Sequence, residues 1–223
     1  DFPVAWDDES EPEHCETSSD GTVIVSIQET SQILIFNVSD VTSETITSYT
    51  VVDLPNDGGT SDDGESVEGE PDGLFISPDG TMALISMERN GTFQMMSLPD
   101  GAMYGNPYIM EADLADGWQR DDRSYKKRTE PEECSLVEQD GKLYAVFAMQ
   151  EAHAVMVYDV TDPANPVYDS IAPAGIAWEE DNGMEKSTIG SEGLGMHPTN
   201  GIAFSANERE GSITMFTAQW ARE

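Results

Sequence analysis

One acidic opening recurs along the chain at a nearly constant step, and that step constrains the fold more than any other feature. The copies are Glu11-Pro12-Glu13, Glu70-Pro71-Asp72, Glu130-Pro131-Glu132 and, opening at Gly190, Ser191-Glu192-Gly193; their starts at 11, 70, 130 and 190 give steps of 59, 60 and 60 residues. In register with them run four turn dipeptides, Asp20-Gly21, Asp79-Gly80, Asp140-Gly141 and Asn200-Gly201. Such pairs tolerate the positive φ angles of a two-residue hairpin turn. A short apolar stretch precedes each turn and a longer one follows it, as in Val23 to Ile27 and Tyr144 to Met149. After a polar break comes a third stretch: Ile33 to Phe36, Phe93 to Met96, Val155 to Tyr158 and Ile213 to Phe216. A fourth, more variable strand is expected near Ile46 to Val52, Pro107 to Met110 and Val167 to Ala172.

Four antiparallel strands per repeat, radially arrayed, describe the blade of a β-propeller, so the expected fold is all-β with one domain over residues 1–223. The last copy has little chain for its outer strand, and Phe2 to Trp6, within residues 1–10, are placed to complete it. A chain that forms part of a larger propeller is the alternative. No window sustains apolar residues at helical spacing, and Gly and Pro interrupt the chain throughout. Asn56 to Gly69 reads as a solvated loop, and Ala112 to Lys127, which holds Trp118 and much of the basic charge, reads as a surface loop that touches something.

Asp and Glu number 44 against 10 Lys and Arg, a formal charge of -34. Nucleic acid and anionic membranes are therefore poor partners. No apolar run approaches the roughly 20 residues that span a bilayer, so direct membrane insertion is not expected. No signal peptide opens the sequence, which reads as a processed chain. Acids outside the repeat positions, such as Asp62, Asp63, Glu65 and Glu68, also suit a surface adapted to high salt.

Two sequons, at Asn37 and Asn90, are compatible with glycosylation of a secreted chain. Cys15 and Cys134 occupy equivalent positions in the first and third copies. In an oxidising compartment they could bridge, but a disulfide needs a Cα separation of roughly 4.4 to 6.8 Å, and positions two blades apart face each other across a channel. Two buried free thiols are the other outcome.

The run from Glu130-Pro131-Glu132 through Tyr144-Ala145-Val146-Phe147 to Val155-Met156-Val157-Tyr158-Asp159-Val160-Thr161-Asp162-Pro163 resembles the choice-of-anchor I domain, also described as mesenchyme-specific cell surface glycoprotein-like. Ser191-Glu192-Gly193, Ser205 to Glu208 and Gly211 to Phe216 look like that family's terminal repeat, and Glu11-Pro12-Glu13 with Ile27-Gln28-Glu29 is similar to an earlier one. The resemblance implies an extracellular or surface-anchored propeller without an assigned reaction. The chain departs from the family pattern in being short and in its two cysteines.

In a blade, the start of the inner strand and the turn between the second and third strands lie on one face of the disc. The first position is acidic in every copy, Glu13, Asp72, Glu132 and Glu192; the second is polar, Gln28, Glu88, Gln150 and Glu208, followed by Glu29, Arg89, Glu151 and Arg209. A ring of carboxylates around the channel mouth follows, with Glu13, Asp72, Glu88, Glu132, Glu192 and Glu208 as candidate ligands. Converging carboxylates repel one another unless a cation neutralises them, and calcium takes six to eight oxygen ligands. The plainer expectation is that each acid hydrogen-bonds a backbone N–H of the neighbouring blade, with Arg89 and Arg209 pairing some of them.

His14, His153 and His197 lie at unmatched positions and lack the spacing of a zinc site. There is no Gly-x-Ser-x-Gly elbow and no Gly-rich phosphate loop. Met residues in the strands read as core filling. The sequence thus favours a non-catalytic extracellular or cell-surface propeller for recognition, adhesion or assembly, stabilised by calcium and partnered by extracellular proteins, glycans or copies of itself. A metal-dependent hydrolase of phosphate esters is the alternative, weakened by the scarcity of positive charge beside the ring.

Overall fold

The computed structural model describes residues 10–43, 45–55, 69–116, 118, 128–174, 190–197, 202–208 and 210–217. They form four antiparallel sheets, one per repeat. The first blade runs β1 (Pro12–Thr17), β2 (Thr22–Ile27), β3 (Gln32–Asn37) and β4 (Thr50–Asp53). The second is β5 (Pro71–Ile76), β6 (Met82–Met87), β7 (Thr92–Ser97) and β8 (Met103–Ile109), and the third β9 (Pro131–Gln139), β10 (Lys142–Met149), β11 (Ala154–Asp159) and β12 (Val167–Pro173). The fourth shows β13 (Ser191–Met196), β14 (Ile202–Asn207) and β15 (Ser212–Thr217). The expected outer strand from the N-terminal residues, the Asn200-Gly201 turn, Arg209 and most of the Asn56 to Gly69 loop lie outside the described residues. The only helical elements among the described residues are two short 3-10 turns, Val38–Asp40 and Met110–Asp113.

Each blade is a meander in which consecutive strands pair, so the first strand of each sheet has one edge without a strand partner. These inner strands, β1, β5, β9 and β13, lie side by side in that order. Both faces of the middle blades are covered, which is why β6, β7, β10 and β11 carry near-continuous apolar runs in place of strict alternation. Three clusters make the core, one at each seat between blades. Ile33, Ile35, Leu74 and Ile85 join the first blade to the second; Phe93, Met95, Cys134 and Phe147 the second to the third; Val155 and Val157 meet Leu194, Met196 and Phe216 between third and fourth.

The turn dipeptides divide into two types. Asp140 and Gly141 both have positive φ, 52° and 78°, as a two-residue hairpin requires. In the first two blades only the glycine does, Gly21 at 88° and Gly80 at 75°. There the turn closes one step wider, Gly21 N–H donating to Ser18 O at 3.1 Å and Gly80 N–H to Ser77 O at 2.8 Å. The aspartate serves as an acceptor: Thr22 N–H reaches Asp20 Oδ1 at 3.0 Å and Thr81 N–H reaches Asp79 Oδ1 at 3.1 Å. The Ser18 and Ser77 hydroxyls, which donate to the same carboxylates, and then these N–H bonds hold both carboxyls below the usual Asp range.

The insertion after β8 touches the protein itself, because Trp118 Nε1–H donates to Ala152 O at 2.8 Å and the ring packs on the core between the second and third blades.

Candidate channel-mouth cation site

The acidic opening has a backbone reason that its residue types do not announce. Its first residue is left-handed in every copy, with φ of 41° at Glu11, 47° at Glu70, 48° at Glu130 and 54° at Gly190. The reversed carbonyl of that residue accepts the N–H of the second polar position: Gln28 N to Glu11 O at 2.9 Å, Glu88 N to Glu70 O at 2.9 Å, Gln150 N to Glu130 O at 2.8 Å and Glu208 N to Gly190 O at 2.9 Å. The two polar positions of each blade are thereby held side by side, as the repeat predicts. Immediately afterwards every inner strand is bulged, between Pro12 and Cys15, Pro71 and Leu74, Pro131 and Cys134, and Ser191 and Gly193. Glu13, Asp72, Glu132 and Glu192 all sit within these bulges, and a bulge re-aims the side chain it carries.

Three of the six candidate ligands converge. Carboxylate oxygens of Asp72 and Glu88 from the second blade and Glu132 from the third lie within 4.8 Å of one another. Glu88 is buried and the other two are half-buried. Burial, then a hydrogen bond with Asp72 and the charge of Glu88, pushes the Glu132 carboxyl up to about 11. Glu13 is an exposed neighbour raised by partial desolvation and by Asp72, Glu11 and Glu88. Glu192 and Glu208 form a separate hydrogen-bonded pair in the fourth blade, where burial and then Glu208 raise Glu192.

Two glutamine amides carry bonds from blade to blade at the mouth. Gln28 Nε2 donates to Glu88 Oε2 at 2.8 Å, and Gln150 Nε2 to Glu192 Oε2 at 3.1 Å. Two serines make the lock that sequence reasoning missed. Ser26 Oγ donates to the backbone oxygen of Asp72 at 3.2 Å, and Ser86 Oγ to that of Glu132 at 2.9 Å. Both stand two residues before the second polar position, a recurrence visible in the sequence; the third blade has Ala148 there. Arg89 pairs with Glu70, the residue that opens the second copy.

Cys15 and Cys134 are both free thiols, the first exposed and the second buried beneath the Leu84 carbonyl. Their burial differs because β9 is flanked by inner strands on both sides, whereas β1 has the second blade on one side. Asn37 is half-exposed and its Oδ1 caps the turn at Ser39 N, 3.0 Å away. Asn90 is fully enclosed, its Oδ1 taken by Thr92, so the folded blade has no room for a glycan there. His153 is likewise internal: its Nδ1 accepts Gly190 N–H at 3.3 Å, and burial lowers its pKa to about 4. His14 lies at the mouth between Glu16 and Glu133, its ring nitrogens 3.9 and 3.7 Å from their carboxylates.

Below the mouth, the four inner strands line an open cleft of about 660 Å³ that begins at His14 and Glu133 and runs to Pro78 and Asp140 at the opposite turns.

The choice-of-anchor I domain family matches residues 100–163, from the end of β7 to the end of the third blade's inner three strands. No curated protein matches the chain. Solved structures similar to it include a putative 6-phosphogluconolactonase of Bacteroides uniformis, 16% identical with TM-score 0.56 over 94% of this chain and 51% of that one. A periplasmic gluconolactonase of Pseudomonas aeruginosa is 11% identical, with TM-score 0.58 over 95% of this chain and 51% of that one. The β-propeller domain of Swd1 from Myceliophteria thermophila is 10% identical, with TM-score 0.51 over 95% of this chain and 55% of that one. At such identities the likeness concerns the fold, and the chain spans about half the length of these structures. The chain folds as successive propeller blades, and over residues 100–163 it matches the choice-of-anchor I domain.

Proposed function

We propose that this chain is a non-catalytic β-propeller acting outside the cell or at its surface in recognition, adhesion or assembly, with calcium cross-linking its second and third blades. The observation that carries the reading is the convergence of Asp72, Glu88 and Glu132 across the seat between those blades, with oxygens within 4.8 Å. Calcium–oxygen distances are about 2.3 to 2.6 Å, so ligands on opposite sides of one ion stand at about that spread. With Glu88 buried, a cation here is enclosed by two blades and ties them together. A catalytic metal needs an open position for substrate. The choice-of-anchor match supports the surface location, and extracellular proteins, glycans or copies of the chain are its partners. The hydrolase reading needs a positive cradle beside the metal, and Arg89 is committed to Glu70.

The test is the melting temperature with calcium and with chelator at fixed ionic strength. Calcium raises it and magnesium raises it less, while Glu88→Gln and Glu132→Gln abolish the response. An equal shift with any salt removes the cross-link from the account.

A further inference from the structure

We propose that the cleft between the inner strands is a binding site for organic cations that carry an apolar body, such as aryl- or alkylammonium groups. The inference goes beyond the calcium cross-link and stands without it. Its size suits a small molecule: about 660 Å³ falls within the roughly 300 to 1,000 Å³ of ligand pockets.

The lining has two chemistries. Phe75, Pro78, Leu194 and Met196 present apolar surface from the second and fourth blades, and none of the four is fully buried. Glu16, Glu133, Glu138 and Asp140 contribute carboxylates from the first and third blades. Among the described lining residues none is Lys or Arg, and His14 is the single group able to carry positive charge. An anionic ligand meets repulsion in this cleft, and a neutral one uses only half of the lining. An ammonium on an apolar stem uses both, with its charge beside Glu133 or Glu16 and its body on Leu194, Met196 and the Phe75 ring. An aromatic face attracts a nearby cation in its own right.

The strands add donors and acceptors. Each blade pairs outward from its inner strand, so β1, β5, β9 and β13 turn an edge without a strand partner toward the cleft. Those edges can accept the N–H groups of an ammonium, which a quaternary ammonium lacks, so primary amines are favoured over quaternary ones.

Isothermal titration with phenethylammonium chloride tests the site, against phenylethanol, 3-phenylpropanoate and ammonium chloride at one ionic strength. Phenethylammonium binds at least about tenfold more tightly than each control, as expected when charge and apolar contact are both required. Glu133→Gln and Phe75→Ala each weaken it about fivefold. Glu138→Gln, at an exposed position where folding is insensitive, weakens it in the same direction. Equal binding of the neutral alcohol, or of bare ammonium, overturns the proposal, as does no binding by phenethylammonium. Glu88→Gln separates this site from the calcium cross-link, because Glu88 does not line the cleft. It should abolish the calcium response and leave phenethylammonium binding intact; loss of both places the amine at the mouth and overturns the cleft assignment.

Discussion

Between the second and third blades, Phe93 lies 4.8 Å from Phe147 and 5.1 Å from Tyr158 by ring centroids, and Tyr108 stacks on the same group at 5.2 Å. Between the third and fourth, Val155 and Val157 pack on Leu194, Met196 and Phe216, and beside them a cavity of about 500 Å³ opens between Ile171 and Ala172 of the third blade and Ala203 and Met215 of the fourth. The same repeat builds both seats, yet among the described residues the cluster of mutually packed rings, the serine lock and the three-acid cluster fall at the first of them. At the tight seat the backbones come so near that a Cβ on Gly73 would lie 2.4 Å from the Glu132 carbonyl oxygen. Gly193 holds the place of Gly73 in the fourth copy, and a Cβ there would meet only Ala206 Cβ of its own blade, at 3.3 Å. Repeat identity fixes where blades meet, and the residues at each seat fix how firmly.

The comparison breaks most sharply at the aromatic group. Phe147→Ala should cost about 3 to 5 kcal/mol in urea denaturation, because a buried ring packed on Phe93 and Tyr158 leaves a cavity that cannot collapse. Phe216→Ala, on a partly buried ring beside an existing void, should cost about half of that or less. If the two losses are equal, the seats are equally tight and the contrast fails. Next comes backbone approach: Gly73→Ala should destabilise by about 1 to 3 kcal/mol through overpacking, and Gly193→Ala, which meets no backbone of another blade, should cost less.

The acid cluster supplies a pH dependence. Glu132 ordinarily titrates near 4.5 in the unfolded chain and is pushed up to about 11 in the fold. A carboxyl with the higher pKa in the native state binds its proton more tightly when folded. The unfolded state then holds fewer protons, and stability falls as pH rises from about 4.5. In chelator, the melting temperature should drop between about pH 5 and pH 8. Saturating calcium or Glu132→Gln should flatten that slope; an unchanged slope in the variant assigns it to other carboxylates.

The smallest effects concern the serine lock. Ser86→Ala should lose about 1 kcal/mol by removing the bond to Glu132 O. Ala148→Ser, which places a hydroxyl at the equivalent position facing the fourth blade, should gain up to about 1 kcal/mol if the looser seat lacks only this bond. A loss in Ala148→Ser would show that the fourth blade stands too far away to accept it.

Legibility differed by element. Strand positions followed from apolar runs between turn residues, since those patterns are local; β4, at Thr50–Asp53, and β8, which starts at Met103, were less well placed because outer strands bury little. The pairing of first and second polar positions was legible from the repeat alone. That Glu11, Glu70 and Glu130 are left-handed was not, because Glu ordinarily avoids that region and Gly190 alone carries the usual sign of it. Asn90 satisfies the sequon as well as Asn37, and only packing shows it enclosed.

By itself, then, the sequence determined an all-β chain of propeller blades with its acids gathered at one face, because a step of about 60 residues repeats every strand in register. The tertiary structure decided which acids meet. Asp72 and Glu88 reach Glu132 because their two blades are drawn together by Gly73, Ser86 and the aromatic rings, while Glu192 and Glu208 pair apart. Contact across blades depends on distances between segments about 60 residues apart, and no local pattern in the chain encodes those.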